Sequence, residues 1–265
     1  MVVAPTYARV LVLDDYLAFA TRAPIRIGQS AHLINIKRWE RSIGNHIYTK
    51  LIDLSDKILF EFERNRLFFQ AVTGDDLSYI QLHIESPKKT RPYSGIYVVI
   101  IPGAADKFRQ WSTTNFTKLI DDLISKINVN VVLCGSPAEK EIGSQIAMNS
   151  NHPDKIRNEV GALGIAELFN TYHHATFIVT NETGAVHINA ALDKLVFVIS
   201  NGNHFKKYTE YPASLGKNIH YIYPKEVDDL MPHYDQIASK FDLKSNLDIN
   251  TIPIEKVIER IMANY

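Results

Sequence analysis

From residue 96 onward the chain reads as an α/β fold, a parallel β-sheet covered by helices on both faces. Three observations predict it. Short runs that are almost wholly apolar recur at intervals: IYVVIIP (96–102), NVVLCG (130–135), ATFIVT (175–180) and VFVIS (196–200). Helical segments stand between or after them: NFTKLIDDLISKI, KEIGSQIAMNS, IAELFNTYHH and AVHINAAL. Each run ends in a polar loop, PGAADK, GSPAE, TNETG or SNGNH. Strands buried on both faces lose the apolar/polar alternation of half-exposed ones, and helices between them supply parallel crossovers. Such sheets bind ligands beyond the carboxyl ends of their strands. Four polar loops converging on one edge therefore predict a site there.

The elements before and after this region are less regular. VLVLDD, near the start, is a strand candidate. RWERSIGNHIYTKLIDLSDKILFEFERNRLFFQAVTG reads as one long helical region, with Ile47, Leu51, Leu54 and Ile58 at helical spacing. Gly74 is its natural stop. ESPKKTRPYSG (85–95), with two prolines and a glycine, reads as a linker. Beyond Pro224 the chain turns polar, and PIEKVIERIMANY closes it as an amphipathic helix with Ile254, Val257, Ile258 and Ile261 on one face. This gives three segments: a first domain at 1–90, a sheet domain at 91–225, and a C-terminal segment at 226–265 whose helix is expected to pack back on the first domain.

Composition narrows the function. The 265 residues are 46% hydrophobic and 22% charged, those of a globular protein. Lys+Arg and Asp+Glu both number 29, which argues against nucleic-acid binding by bulk charge. The single cysteine, Cys134, allows no internal disulfide, fits a reducing compartment, and falls in a strand pattern as an inert packing residue. No apolar run is long enough to span a membrane, and MVVAPTYARVLVLDD lacks the basic and apolar regions of a signal peptide, so a cytoplasmic protein is expected. His152, His173, His174, His204, His220 and His233 are scattered without metal-ligand spacing. Neither GxGxxG nor GxSxG occurs, which weakens dinucleotide and hydrolase readings.

The loops carry the candidate site. In PGAADKFRQW, Pro102 and Gly103 allow a tight turn whose backbone approaches a ligand, and Lys107 and Arg109 suit an anion such as a diphosphate. A solvated loop with two surface charges explains the same residues. In GSPAE, Ser136 and Pro137 start a helix, and Glu139 either complements its dipole or accepts hydrogen bonds from a ribose. In TNETGAVHINAAL, Asn181 or Thr183 can cap the helix, which explains one polar residue and not four. Gly184 bares backbone N–H groups as an anion cradle, Glu182 beside it suits sugar hydroxyls better than phosphate, and His187 lies one turn on. NGNHFKKYTEYP (201–212) either wraps a ligand, leans on another domain, or is simply exposed.

As an ordered set, PGAxxKxRxW, CGSxxE, GxLGIAEL, TNETGAVHxxAAL and NGNH resemble the second domain of family 9 glycosyltransferases, the group that includes the lipopolysaccharide heptosyltransferases. The match covers residues 96 to 212, and more weakly the stretch before it. The resemblance implies a GT-B architecture with a Rossmann-like, nucleotide-sugar-binding second domain. It implies a nucleotide-diphospho-sugar donor, heptose-like or related, a glycan or lipid-linked acceptor, inversion at the anomeric carbon, no cofactor or required metal, and peripheral contact with the inner membrane. It assigns Arg109 and Lys107 to the diphosphate, Glu139 to the ribose, Glu182 (where the family usually has Asp), Thr183 and Gly184 to the donor sugar and phosphates, and His187 to the family's histidine. The family's opening strand and Gly-Asp turn, which supplies a candidate base, has no counterpart in VLVLDDYLAFATR. An incomplete first domain is therefore expected, and neither Asp14 nor Asp15 is assigned as base. The rival readings are a half-enzyme that binds nucleotide sugar without turnover, and an open α/β protein of another class, such as a sugar-nucleotide epimerase.

Overall fold

The computed structural model describes residues 1–33, 35–54, 59–85, 90–241 and 245–265. The chain divides into two compact units, one of residues 1–81 with 206–208, the other of 82–205 with 209–265.

The smaller unit contains β1 (Val2–Ala4), α1 (Tyr16–Ala20), β2 (Arg26–Gln29), α2 (Arg38–Ile47), β3 (Lys50–Ile52) and α3 (Glu61–Thr73). The strands form a parallel sheet in the order β1-β2-β3, with Ile27, Ile52 and Phe68 at its core. VLVLDD is helical, not a strand. A wide helical turn at Leu11–Asp15 runs straight into α1. The Asp14 carboxylate accepts the Val10 N–H (2.7 Å), and Asp15 points inward. The expected long helix is broken by β3. Thr49 N–H donates to the Arg26 carbonyl (2.8 Å) and Ser30 N–H to the Ile52 carbonyl (2.9 Å), so pairing with β2 overrides the helical spacing of Ile47, Leu51 and Leu54. Ile58 and residues 86–89 of the expected linker lie outside the described residues. Gly74 ends α3 as expected, at φ 82° in the left-handed region, with its N–H on the Gln70 carbonyl.

A buried ion pair organises this unit. Arg9 donates to Asp15 (2.8 Å), both side chains fully buried. Tyr48 Oη donates to the same carboxylate (2.9 Å), Arg9 also reaches Asn45, and its guanidinium lies 4.6 Å from the Tyr48 ring centroid. Burial, first of all, pushes the Tyr48 pKa up to about 12. Gly44 is required here, because a Cβ would overlap the Asp15 carboxylate.

The larger unit begins with β4 (Tyr97–Ile101), α4 (Thr113–Ile127), β5 (Asn130–Leu133), α5 (Lys140–Asn149), β6 (Ile156–Asn158) and α6 (Ile165–His174). It continues through β7 (Ile178–Asn181), α7 (Gly184–Ala191), β8 (Val196–Ile199), β9 (Ile219–Ile222), α8 (Lys225–Asp228), α9 (Tyr234–Phe241) and α10 (Ile254–Met262). All six strands are parallel, in the order β6-β5-β4-β7-β8-β9. Counted within the unit this is 3-2-1-4-5-6, the Rossmann order. The direction of winding reverses between β4 and β7. Val98, Ile100, Val131, Val179 and Phe197 pack with Phe116, Leu119, Ile120 and Leu123 of α4 in one core. Val257 and Ile261 of α10 join that same core, and α10 packs on α4, β8 and β9. The C-terminal helix thus packs within the larger unit, on the sheet and helix it covers. Its apolar face found its partner in the nearest covering helix and sheet.

Replacing Arg9 by Ala leaves Asp15 buried without its cation, so the smaller unit is expected to lose about 3–5 kcal/mol. The exposed Arg22→Ala control is expected within about 0.5 kcal/mol of wild type. Hydrogen exchange across residues 1–81 measures both.

Candidate active site at the carboxyl edge of the sheet

The reversal between β4 and β7 brings two loops side by side. Asn181, the last residue of β7 and fully buried, ties them. Its Nδ2 donates to the carbonyls of Pro102 (2.7 Å) and Gly103 (3.3 Å), and its Oδ1 accepts the Trp111 N–H (3.1 Å). Trp111 is buried and donates its indole N–H to the Ile252 carbonyl (3.1 Å). Asn181 therefore spends its side chain on the β4–α4 loop, not on capping α7.

Between these anchors a short helical turn, Lys107–Arg109, stands over the edge. Lys107 is exposed. Arg109 is not a free cation. It pairs with Asp106 (2.9 Å) and donates to the Glu182 carbonyl (3.4 Å), while its Nε is buried without a partner.

Glu139 sits where the loops after β4 and β5 meet. Its carboxylate accepts the Ser136 N–H (2.6 Å) and lies against the Cα atoms of Gly103 and Gly135. A side chain at Gly103 would overlap that carboxylate. This glycine makes room for Glu139, a use that the tight-turn reading did not include.

Glu182 is buried and accepts from Ser200 Oγ (2.8 Å) at the end of β8. Burial raises its pKa to about 6, against the opposing pull of the Ser200 hydrogen bond and the Arg109 charge. Thr183 caps α7, its Oγ1 accepting the Ala185 N–H (3.2 Å). Gly184 opens the helix at the surface, with free space where a Cβ would stand. His187, partly open to solvent, places Nδ1 2.7 Å from Tyr211 Oη, and desolvation by the surrounding chain lowers its pKa.

The NGNH loop is neither exposed nor loose. Asn201 donates to the carbonyls of Phe108 and Leu247 (both 3.2 Å), and its own carbonyl accepts from Ser245 Oγ (2.6 Å). Asn203 Oδ1 accepts the Ser245 N–H (3.0 Å). The structure thus gathers Gly103, Arg109, Glu139, Glu182, Thr183 and Gly184 at one edge and leaves Lys107 at its exposed rim. Sequence reasoning missed Asp106, Ser200, Tyr211 and Ser245, which pair with the residues it chose. Ser200 ends an apolar run, the one signal that could have marked it. Cys134 is buried, with its thiol pushed up to about 12 by burial, as an inert residue would be. Among the described residues no group of three or more His, Cys, Asp or Glu side chains is arranged to hold a metal, and no helix is long and apolar enough to cross a membrane.

The raised pKa of Glu182 has a signed consequence. Its folded value, about 6, exceeds the ordinary 4.5, so the ionised form opposes folding. That penalty is absent below about pH 4.5, grows as pH rises through 6, and reaches about 2 kcal/mol. Glu182→Gln is expected to flatten the pH dependence of stability between about pH 4 and 7, as about that difference in urea unfolding. Asn181→Ala strands the Trp111 N–H and the Pro102 carbonyl, and is expected to cost about 1–3 kcal/mol in the same measurement.

The family model for glycosyltransferase family 9 (heptosyltransferase) matches residues 16–215. A search of curated proteins gives no match. Among solved structures, a family 9 glycosyl transferase from Veillonella parvula is similar at 16% identity and TM-score 0.71, covering 94% of this chain and 70% of its own. The ADP-heptose lps heptosyltransferase II of E. coli is similar at 16% identity and TM-score 0.66, covering 98% and 74%. E. coli heptosyltransferase WaaC, solved with ADP-2-deoxy-2-fluoro heptose, gives 16% and 0.63, covering 91% and 65%. These likenesses establish a GT-B-like fold, and with the family match over most of the sequence, the chain belongs to glycosyltransferase family 9.

Proposed function

We propose that the chain binds a nucleotide-diphospho-sugar at the carboxyl edge of its six-stranded sheet and transfers the sugar, with inversion, to a lipopolysaccharide or other surface-glycan acceptor. The observation that carries this reading is the reversal of winding between β4 and β7, which sets Gly103 and Arg109 beside Glu182 and Gly184. Ligands bind at such reversal points in open α/β sheets. That the similar E. coli enzyme was solved with ADP-2-deoxy-2-fluoro heptose supports an ADP-heptose-like donor.

In this reading Arg109, Lys107 and the N–H groups at the start of α7 neutralise the diphosphate as it leaves. The space over Gly184 admits the phosphates. Thr183 holds the helix start in shape, and Asn181 holds the loop that carries Arg109. Glu182, as carboxylate, accepts hydrogen bonds from sugar hydroxyls, with Ser200 fixing its orientation. Glu139 accepts from the ribose with the oxygen lone pairs left by Ser136. His187, steadied by Tyr211, lines the same edge. A lipid-linked acceptor would bring the enzyme to the inner membrane as a peripheral protein.

One observation favours a second reading, nucleotide-sugar binding without turnover. Asp14 accepts a backbone N–H and Asp15 is sealed in its pair with Arg9, so both acids of the opening stretch are committed to the fold.

Calorimetric titration with ADP, UDP and GDP, followed by a donor-hydrolysis assay, separates the readings. Arg109→Ala is expected to weaken diphosphate binding by about tenfold or more, the worth of a charged hydrogen bond. Glu182→Ala is expected to abolish transfer while the chain still folds. Turnover at the normal rate by that variant refutes its role, and failure of all three nucleotides to bind refutes the donor site.

A further inference from the structure

The two ring nitrogens of His187 have unlike surroundings. Nδ1 stands 2.7 Å from Tyr211 Oη, while Nε2 has no hydrogen-bond partner among the described residues. The two rings are tilted by 47° with centroids 5.7 Å apart, so they meet through that hydrogen bond and not by stacking. The helix decides where the other nitrogen is shown. His187 follows Gly184 by three residues and Thr183 by four, so the three share one side of α7. Helical side chains lean toward the N-terminus, which carries this ring toward the open space over Gly184.

The direction of the hydrogen bond follows from Tyr211. It is buried, and burial pushes its pKa up, so it keeps its proton. A buried phenol proton needs an acceptor, and the Nδ1 lone pair stands within reach. Burial also lowers the His187 pKa, and no charged side chain contributes to that shift, so the ring is neutral. In a neutral imidazole one nitrogen accepts and the other donates. With Tyr211 donating to Nδ1, the ring proton belongs on Nε2. Tyr211 is itself braced. The Leu215 and Gly216 N–H groups both donate to the Pro212 carbonyl (2.8 and 3.1 Å) and fold the chain into a turn. A Cβ on Gly216 would stand 2.8 Å from Tyr211 Cβ, so this glycine lets the turn close against the tyrosine. On the other side Thr209 Oγ1 donates to the Asn203 carbonyl (2.8 Å).

We infer that Tyr211 is a positioning residue that fixes His187 as an uncharged Nε2–H donor, aimed at an acceptor oxygen of the bound nucleotide. The aim rests on the donor reading, and the protonation does not. Nδ1, the nitrogen with a lone pair, is engaged by Tyr211, so His187 neither adds positive charge at the edge nor serves as the base that takes the acceptor proton. Nitrogen-15 NMR of the full chain reads the protonation of each ring nitrogen, with the His187 signals assigned by their loss in His187→Gln. At about pH 7 the proton is expected on Nε2 and not on Nδ1. In Tyr211→Phe, which keeps the ring and the burial, the His187 pKa is expected to rise by about 1, the worth of one hydrogen bond. Packing alone would leave that value where it is. A proton on Nδ1, or an unchanged titration in Tyr211→Phe, overturns the inference. The aim is tested by calorimetry with ADP, UDP and GDP. The amide N–H₂ of His187→Gln can stand where Nε2 does, and that of His187→Asn stands nearer Nδ1. The Gln variant is expected to bind about tenfold tighter than the Asn variant, and equal affinities overturn the aim. If the wild-type chain binds none of the three, the donor reading falls and the aim with it, while the NMR result still decides the role of Tyr211.

Discussion

The larger unit depends on what Asn181 holds together. One buried amide satisfies two carbonyls of the β4 loop and one N–H of Trp111, groups that are costly to bury unpaired. The placement of Trp111 then fixes the start of α4, where Ser112 receives the Asn115 N–H and donates its own N–H to Asn250. The turn bearing Lys107 and Arg109 is suspended between these two fixed points. A parallel sheet brings strand ends to one edge, but it does not orient the loops beyond them. That orientation comes from a side chain with one donor group and one acceptor group, both in use.

A second polar network does the same for the neighbouring loop. Ser200 Oγ both donates to Glu182 and accepts the Gly202 N–H (3.0 Å), while Asn201, Asn203 and Ser245 close a ring of hydrogen bonds beneath. Burying so many polar groups costs free energy unless each is paired. Here most are paired, and the exceptions are informative. Arg109 Nε is buried without a partner, and burial raises the Glu182 pKa to about 6. Both residues lie at the edge to which the proposed donor would bind.

The fold was legible where burial is complete. β4, β5, β7 and β8 are buried at nearly every position, and the apolar runs that enter them announce them. β6 reads IRN and β9 reads IHYI, because edge strands cover less surface and keep polar residues. The first eighty residues misled for another reason. Ile47, Leu51 and Leu54 keep helical spacing, and only pairing with β2 decides for a strand, an interaction no local window contains. The site was legible as a set of loops and not as a set of bonds. Glu182 and Arg109 stand at the expected edge, but nothing in TNETG reveals that Asn181 turns inward, and nothing in PGAADKFRQW reveals that Asp106 takes up the charge of Arg109.

The pairing of β4 with β7 sets the order in which this edge can come into being. Ile101 lies against Thr180, and everything between them must be looped out before the two strands meet. The entropy of closing that loop is spent before any contact repays it. The ring beneath Ser200 waits longer still, since Ser245 supplies two of its bonds. On a chain emerging from a ribosome, the strands can gather as they appear, but the edge is finished only when the segment around Ser245 has arrived. Synthesis interrupted earlier would leave a partly assembled sheet with its recognition loops untied.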